Sequence, residues 1–347
     1  MAVGGGAESK RMKIERQWSS SWSRLPEDII FSIMNRLGYV GQLRFRAVCK
    51  SWRQANIRGI KSADTLPWKM AVDPRSCCFM TLLTIKKYTV DSKVLASKYG
   101  WVLFAKREND EEEYPYMTNA PLFLYTPFTN RIIHLPNFIL KLDDKATFSM
   151  PPDSPDCEIF VVRLDRDKKL LIRMCRPGET TWIKLAIFKF FDTEDSSEKY
   201  GPAHNVEYVD GVLYISFEQI AVVAYNPKLD DSKLYPYPCN EGKNIVYEYL
   251  LESDGNLLLY HDELDDLVFR LDRPQMKWIR IHNLDDRSLF LGTNSSLFIP
   301  MEQTSELVNT RHAVVCHCSM CTKISESFHL DVRHMEDYCW IQVPQMI

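Results

Sequence analysis

Four prolines at near-equal intervals constrain the fold of this 347-residue chain more than any other feature. Each has the same setting: an apolar strand-like run, a turn, then an apolar or aromatic residue opening another run. The segments are Phe123 to Leu135 through Pro127, Leu171 to Leu185 through Pro177 and Trp182, Val222 to Tyr235 through Pro227, and Leu267 to Ile281 through Pro274 and Trp278. The prolines lie 50, 50 and 47 residues apart. A period of about 40–50 residues in all-β sequence predicts propeller blades, each blade being a four-stranded sheet. Spread over residues 66–347, that period predicts about five to seven blades. Phe328-His329-Leu330-Asp331 reaching Trp340-Ile341 echoes Phe269-Arg270-Leu271-Asp272 reaching Trp278-Ile279, and reads as a fifth copy. The alternative is an irregular β-sandwich with coincidental proline spacing.

The double glycine and the Trp-Asp ending of common propeller repeats are both absent, so the propeller is expected to be degenerate. From about residue 66 onward, short runs rich in Val, Ile, Tyr and Phe alternate with turn residues. Asp210-Gly211 and Asp254-Gly255-Asn256 read as hairpins. Asp165 to Lys169 reads as a charged turn, and Glu108 to Glu113 as an acidic loop tip. Trp101, Tyr125, Trp182, Tyr214, Tyr235, Tyr237 and Trp278 have blade-like spacing. They are expected to pack blades together rather than to line a carbohydrate or peptide pocket.

The front of the chain has a different texture. Residues 1–17 are Gly-rich and then mixed in charge, which predicts a solvated basic tail; Lys10, Arg11, Lys13 and Arg16 are at most a nuclear-import patch. Residues 22–58 read as three short helices. Pro26 suits a helix start, with Glu27 and Asp28 near the positive dipole end. Ile29, Ile30, Ile33, Met34 and Leu37 follow at helical spacing, and Gly38 is the expected C-cap. Leu43, Ala47 and Val48 fall on a second helix, and Trp52 and Ala55 on a third. So small a module cannot bury all this apolar surface by itself, so part of it is expected to face a partner. Residues 1–60 hold 11 Lys/Arg against 4 Asp/Glu, a net of +7, while the rest of the chain nets −10. That asymmetry points to a basic front with an acidic partner, and the acidic bulk argues against nucleic acid.

Composition excludes several classes. Apolar residues at 45% and charged residues at 26% are globular values. No stretch approaches the ~18 apolar residues of a membrane span, and the start carries no apolar core like that of a signal peptide. The expected location is the nucleus, the cytoplasm or both. Ten cysteines are scattered through apolar runs and read as buried thiols. Cys316, Cys318 and Cys321, followed by His329, His334 and Cys339, are weak zinc candidates whose spacing matches no common module. No cofactor is expected. No nucleophile elbow, metalloprotease motif, phosphate-binding loop or dinucleotide fingerprint is present. Asp265-Asp266 and Asp285-Asp286 fall in predicted turns and read as solvated turn residues rather than acid/base pairs.

The run Leu25-Pro26-Glu27-Asp28-Ile29-Ile30-x-x-Ile33-x-x-x-Leu37, then Leu43-x-Phe45-Arg46-Ala47-Val48-Cys49-Lys50-x-Trp52-Arg53, resembles an F-box. In that family an acidic residue stands near the start of the second helix, where this chain has Gly41. The departure removes a cap worth roughly 1 kcal/mol or less and is not expected to abolish binding. The remainder resembles the plant KIB-type F-box-associated domain. The matches are Leu66-Pro67-Trp68-x-Met70, Tyr99-Gly100-Trp101, Tyr249 to Leu259 through Asp254-Gly255-Asn256, Trp278-Ile279-x-Ile281, and Leu284-x-Asp286-Arg287 to Gly292-x-Asn294. The two resemblances cover nearly the whole chain after residue 20. They divide it into a tail (1–17), an F-box (18–60) and a β domain (61–347).

The resemblance implies an α+β multidomain protein, a three-helix F-box followed by an all-β propeller. It implies a non-catalytic receptor subunit of a Skp–cullin–F-box ubiquitin ligase. The F-box would bind a Skp-family adaptor and through it a cullin–RING scaffold, while the β domain captures an unidentified target protein. Leu25, Pro26, Ile29, Ile33 and Leu37 are the implied adaptor contacts, with Val48, Cys49 and Trp52 helping. Core packing competes for each of these residues individually. The alternative function is a scaffold that binds the adaptor without driving ubiquitination. A sugar-binding or hydrolytic propeller would need paired carboxylates converging on one pore.

Overall fold

The computed structural model describes Trp22 and residues 25–54, 67–73, 76–80, 85–88, 92–106, 118–165, 167–189, 203–217, 221–238, 248–261, 267–282, 284, 287–292, 294–300, 311–313 and 337–343. The chain divides into two compact units, with the division between Leu66 and Pro67. The first is helical: α1 (Glu27–Met34), α2 (Tyr39–Ala47) and α3 (Lys50–Gln54). Ile30 and Met34, four residues apart and therefore on one face of α1, are buried against Phe45 of α2. Gly38 is not the C-cap of α1. Asn35 caps that helix, and Gly38 is the extended N-cap of α2. Gly41 accordingly lies inside α2, and a Cβ there would stand 3.1 Å from the Leu37 Cβ, so the glycine permits a close approach.

The second unit is a ring of six β-sheets among the described residues. Its first strands are β1 (Trp68–Asp73), β2 (Ser76–Met80) and β3 (Ile85–Tyr88). β4 (Ser92–Lys98), β5 (Trp101–Lys106), β6 (Thr118–Thr126) and β7 (Arg131–Leu140) form the next sheet in chain order. So do β8 (Lys145–Phe148), β9 (Ile159–Leu164), β10 (Lys169–Cys175) and β11 (Ile183–Lys189). β12 (Ala203–Val209), β13 (Val212–Phe217), β14 (Ala221–Asn226) and β15 (Asp231–Pro236) repeat the arrangement. β16 (Glu248–Ser253), β17 (Asn256–His261), β18 (Leu267–Asp272) and β19 (Lys277–Ile281) repeat it again. The sixth sheet holds β20 (Arg287–Leu291), β21 (Leu297–Pro300) and β22 (Arg311–Ala313), in the order β21-β20-β22 with β22 parallel to β20. β23 (Asp337–Ile341) then returns to pair antiparallel with β1, giving the order β23-β1-β2-β3.

Neighbouring sheets touch through their inner strands: β23 against β4, then β8, β12, β16 and β21, while β20 reaches β23. The ring is therefore closed by the C-terminal strand. Strands enclosed on both sides read as continuous apolar runs, as Trp101-Val102-Leu103-Phe104-Ala105 does, whereas the outer β15 is exposed along most of its length. The core lies between blades. One cluster joins Trp101, Leu103 and Leu122 to Phe148 and Ile159; a second joins Phe160 and Ile172 to Ile215 and Phe217; a third joins Tyr214, Tyr235 and Tyr237 to Leu250 and Phe269. Trp182 and Trp278 pack against the first and third clusters. The Tyr125 hydroxyl bonds the Asn130 side chain at 3.0 Å, within its own blade.

The four prolines mark one structural position, the turn between the third and fourth strands of four successive blades. Those turns end on a left-handed residue at Asn130 (φ 56°), Asp230 (φ 49°) and Met276 (φ 53°). Tyr225 donates to Asp230 at 3.0 Å just as Tyr125 does to Asn130. The first and second strands are joined by two-residue turns at Asp210-Gly211 and Asp254-Gly255, with positive φ at both residues as a type I′ hairpin demands. Tyr99-Gly100 makes the same turn, which sequence reasoning passes over because Tyr is no turn former. The charged turn is present too: the Lys169 amide donates to the Asp165 carboxylate at 2.8 Å. The proposed fifth copy does not hold. Trp340-Ile341 lies on the inner strand β23, whereas Trp278-Ile279 lies on the outer strand β19. An aromatic-aliphatic pair occurs on either kind of strand, near the start of β19 and at the end of β23, so the pattern alone cannot separate them. Phe328 to Asp331 and the acidic stretch Glu108 to Glu113 lie outside the described residues.

Candidate partner-binding surfaces

The helical unit has a very small interior. Among the described residues its buried apolar side chains are Ile30, Met34 and Phe45. Leu25, Ile33, Leu37 and Trp52 are half-buried against that cluster. Trp52 stacks on Phe45 with ring centroids 4.1 Å apart, and its indole N–H donates to the Trp22 carbonyl at 2.9 Å. Gln42 is fully buried, and its amide donates to the carbonyls of Met34 (3.1 Å) and Leu37 (2.9 Å). The Met34 carbonyl also accepts from the Leu37 amide at 3.1 Å, so Gln42 adds a second bond there and ties α2 to the end of α1 and the corner after it.

The expected adaptor contacts therefore divide. Ile29 is 43% exposed, Val48 is 61% exposed, and Pro26 is exposed as well. Leu25, Ile33, Leu37 and Trp52 have one side in the core and one side free, and Cys49 is half-buried. Two exposed apolar side chains were not among those expected: Phe31 and Trp22. Phe31 falls off the apolar stripe and Trp22 precedes the motif, so periodicity did not flag them. The Cys49 thiol lies 3.1 Å from the Ser51 hydroxyl, and that bond, with one to the Trp52 backbone, holds its pKa below the ordinary thiol value. Glu27 and Asp28 lie at the start of α1, whereas the last turns of α2 and α3 are basic through Arg44, Arg46 and Arg53.

In the β unit the inner strands converge on a narrow channel. Leu95, Lys145, Asn205, Glu207, Asn294 and Ser295 are among its lining residues. The space it encloses is about 20 Å³. That is enough for a water molecule and far below the ~300 Å³ or more of a small-molecule pocket. A sugar does not fit there. Asp265-Asp266 and Asp285-Asp286 lie outside the described residues, as do Cys316, Cys318, Cys321, His329 and His334. Cys339 is fully buried in β23. Among the described residues no group of acidic, His and Cys side chains is arranged to hold a metal ion.

Three short helices with an exposed apolar flank, followed by a closed β-ring, make a chain of two modules. Comparison with known families agrees. The F-box domain model matches residues 22–55, and the KIB1-4 beta-propeller model matches residues 73–311. The chain belongs to the KIB1-4 beta-propeller family and carries an F-box domain at its front. The F-box/kelch-repeat protein At1g57790 of Arabidopsis thaliana is 25% identical over 297 residues, covering 79% of this chain and 77% of its own. The F-box protein At4g00893 of Arabidopsis thaliana is 30% identical over 174 residues, covering 47% of this chain and 42% of its own. A third relative from Arabidopsis thaliana, the F-box protein At3g56470, is 21% identical and covers 81% and 75%. Among solved structures, TolB from Acinetobacter baumannii aligns at 12% identity with a TM-score of 0.42, covering 74% of this chain and 63% of its own.

Proposed function

We propose that this chain is the substrate-recognition subunit of a Skp–cullin–F-box ubiquitin ligase. The observation that carries the proposal is the helical unit itself. It has the F-box motif, and it leaves Pro26, Ile29 and Val48 on its surface, while among the described residues its buried apolar side chains are Ile30, Met34 and Phe45. Fully covering Ile29 and Val48 would each contribute roughly 1.5–3 kcal/mol, less what is already shielded. The half-buried Leu25, Ile33, Leu37 and Trp52 would add their free edges, and Cys49 lies among them. The basic ends of α2 and α3 would speed encounter with an acidic adaptor.

The propeller would hold the target. Two modules on one chain would then keep that target near a charged ubiquitin carrier, raising the local concentration of its lysines. The chain itself would supply no catalytic group; the chemistry would belong to the other subunits. The proposal carries with it a location in the nucleus, the cytoplasm or both. The test is reconstitution of the chain with purified Skp adaptor, cullin–RING scaffold and ubiquitin-charged carrier. Ubiquitin transfer that requires residues 25–54 supports the ligase reading. Stable adaptor binding without cullin recruitment or transfer would favour a sequestering scaffold instead.

A further inference from the structure

We infer that Lys98 ties the propeller shut across its channel, one buried ammonium from β4 holding carboxylates carried by β12 and β16. Lys98 is the last residue of β4 and is buried. Its Nζ donates to Glu207 Oε2 at 3.0 Å and to the Tyr208 carbonyl at 2.8 Å, and it stands 3.9 Å from Glu252 Oε2. The inner strand next to β4 in the ring is β8, so this bridge skips a blade. It joins the second blade to the fourth and fifth. The neighbouring hairpin turns are braced at the same end of their strands: Arg273 donates to Asp210 Oδ2 (2.9 Å) and the Gly255 carbonyl (3.0 Å), and Arg287 meets Asp254 Oδ2 at 2.6 Å. A rotation of one blade against the ring would have to break the Lys98 contacts, and in this enclosed site water could not replace them cheaply.

The tie holds two carboxylates for one ammonium, which makes it sensitive to protons. The groups facing it are Tyr99 from the turn after β4, Lys145 from the channel wall on β8, Glu207 and Tyr208 from β12, and Glu252 from β16, with Glu158 acting on Tyr208. Burial raises the pKa of Glu207, and attraction to Lys98 offsets only part of that. Burial works against the charge on Lys98, but Glu207, Tyr99 and Glu252 together hold its pKa above the ordinary lysine value. A carboxylate with a raised folded pKa contributes stability that is complete below its unfolded pKa and is lost as pH rises through the folded one. The Lys98 contribution is complete below the ordinary lysine pKa and is lost as pH rises through its own raised value. The folded state is thus favoured on the acid side, where Glu207 holds a proton, while the Lys98 tie itself counts for most at higher pH, where the carboxylates it holds are charged.

The experiment is urea unfolding of the full chain, followed by far-ultraviolet circular dichroism at pH 5.5 and pH 8. Lys98→Met keeps the stem length and leaves two facing carboxylates without their cation. The expected result is an unfolding constant raised about tenfold or more at pH 8, with a visibly smaller rise at pH 5.5, where protons replace the ammonium. Glu207→Gln keeps the shape and the Lys98 contact to Tyr208, so it guards against a Lys98 variant that does not fold. It is expected to fold and to lose the gain in stability that the wild type shows on going from pH 8 to pH 5.5. Equal unfolding of Lys98→Met and wild type, a Lys98→Met deficit that ignores pH, or a Glu207→Gln variant with the wild-type pH response would each overturn the inference.

Discussion

Closure of the ring by its last strand predicts that one residue near the C-terminus governs the stability of the whole β unit. Trp340 lies on β23, is 1% exposed, and meets the Phe290 ring edge-on with centroids 5.0 Å apart. Its indole N–H donates to the Leu291 carbonyl at 3.0 Å. Trp340→Ala removes a large buried side chain, a loss of about 3–5 kcal/mol in well-packed interiors. It also strands the Leu291 carbonyl, which adds about 1–3 kcal/mol. The sum approaches the total stability of many domains, about 5–15 kcal/mol. Trp340→Phe keeps an aromatic ring and loses the hydrogen bond and part of the volume, so about 1–3 kcal/mol is expected. The assay is urea unfolding followed by circular dichroism, because the substitution itself alters tryptophan fluorescence. A Trp340→Ala variant within about 1 kcal/mol of wild type would refute closure through β23, since surface substitutions usually stay within about 0.5 kcal/mol.

Gly211→Ala and Gly255→Ala should each lower stability by about 1–2 kcal/mol, because both backbones are left-handed (φ 83° and 73°); similar midpoints for wild type and both variants in denaturant would contradict the type I′ turns. Gln42→Ala should destabilise the helical unit by about 1–3 kcal/mol, since two side-chain hydrogen bonds, to the Met34 and Leu37 carbonyls, are lost; hydrogen exchange of the α1 amides reads that loss. His261 is fully buried beside Tyr237, and burial pulls its pKa down to about 4. A depressed folded pKa contributes stability that is present above the ordinary histidine value and lost as pH falls through about 4. His261→Phe should therefore flatten the acid limb of the stability profile, an effect of the order of 3 kcal/mol across that window. An unchanged acid limb would count against it.

How much was legible beforehand depended on the kind of residue. The proline turns were readable because Pro fixes φ and the turn recurs in the same strand context four times. The Asp-Gly hairpins were readable because two successive positive φ angles favour those residues. Tyr99-Gly100 makes the same turn through context and was not. Trp340 looked like Trp278 because pattern records which residue types a strand carries, not which sheet that strand joins; pairing across more than 260 residues, Trp68 with Ile341, is invisible to it. At the helical unit, buried and exposed apolar residues share one stripe of the motif, so periodicity alone does not separate them. The structure divides them by burial, placing Ile30 and Met34 inside and Ile29 and Val48 outside. Lys98, Glu207 and Glu252 sit far apart in the chain within otherwise ordinary strands, and only ring closure brings them together.

The measurement that bears most directly on the central claim is co-expression with a plant Skp adaptor, followed by size-exclusion chromatography with mass determination. Ile29→Asp and Val48→Asp change exposed side chains and spare the Ile30, Met34 and Phe45 core. The account predicts a 1:1 complex for the wild type, weakened at least tenfold or lost in each variant while the circular dichroism spectrum stays native. A folded wild-type chain that elutes alone beside excess adaptor would contradict it.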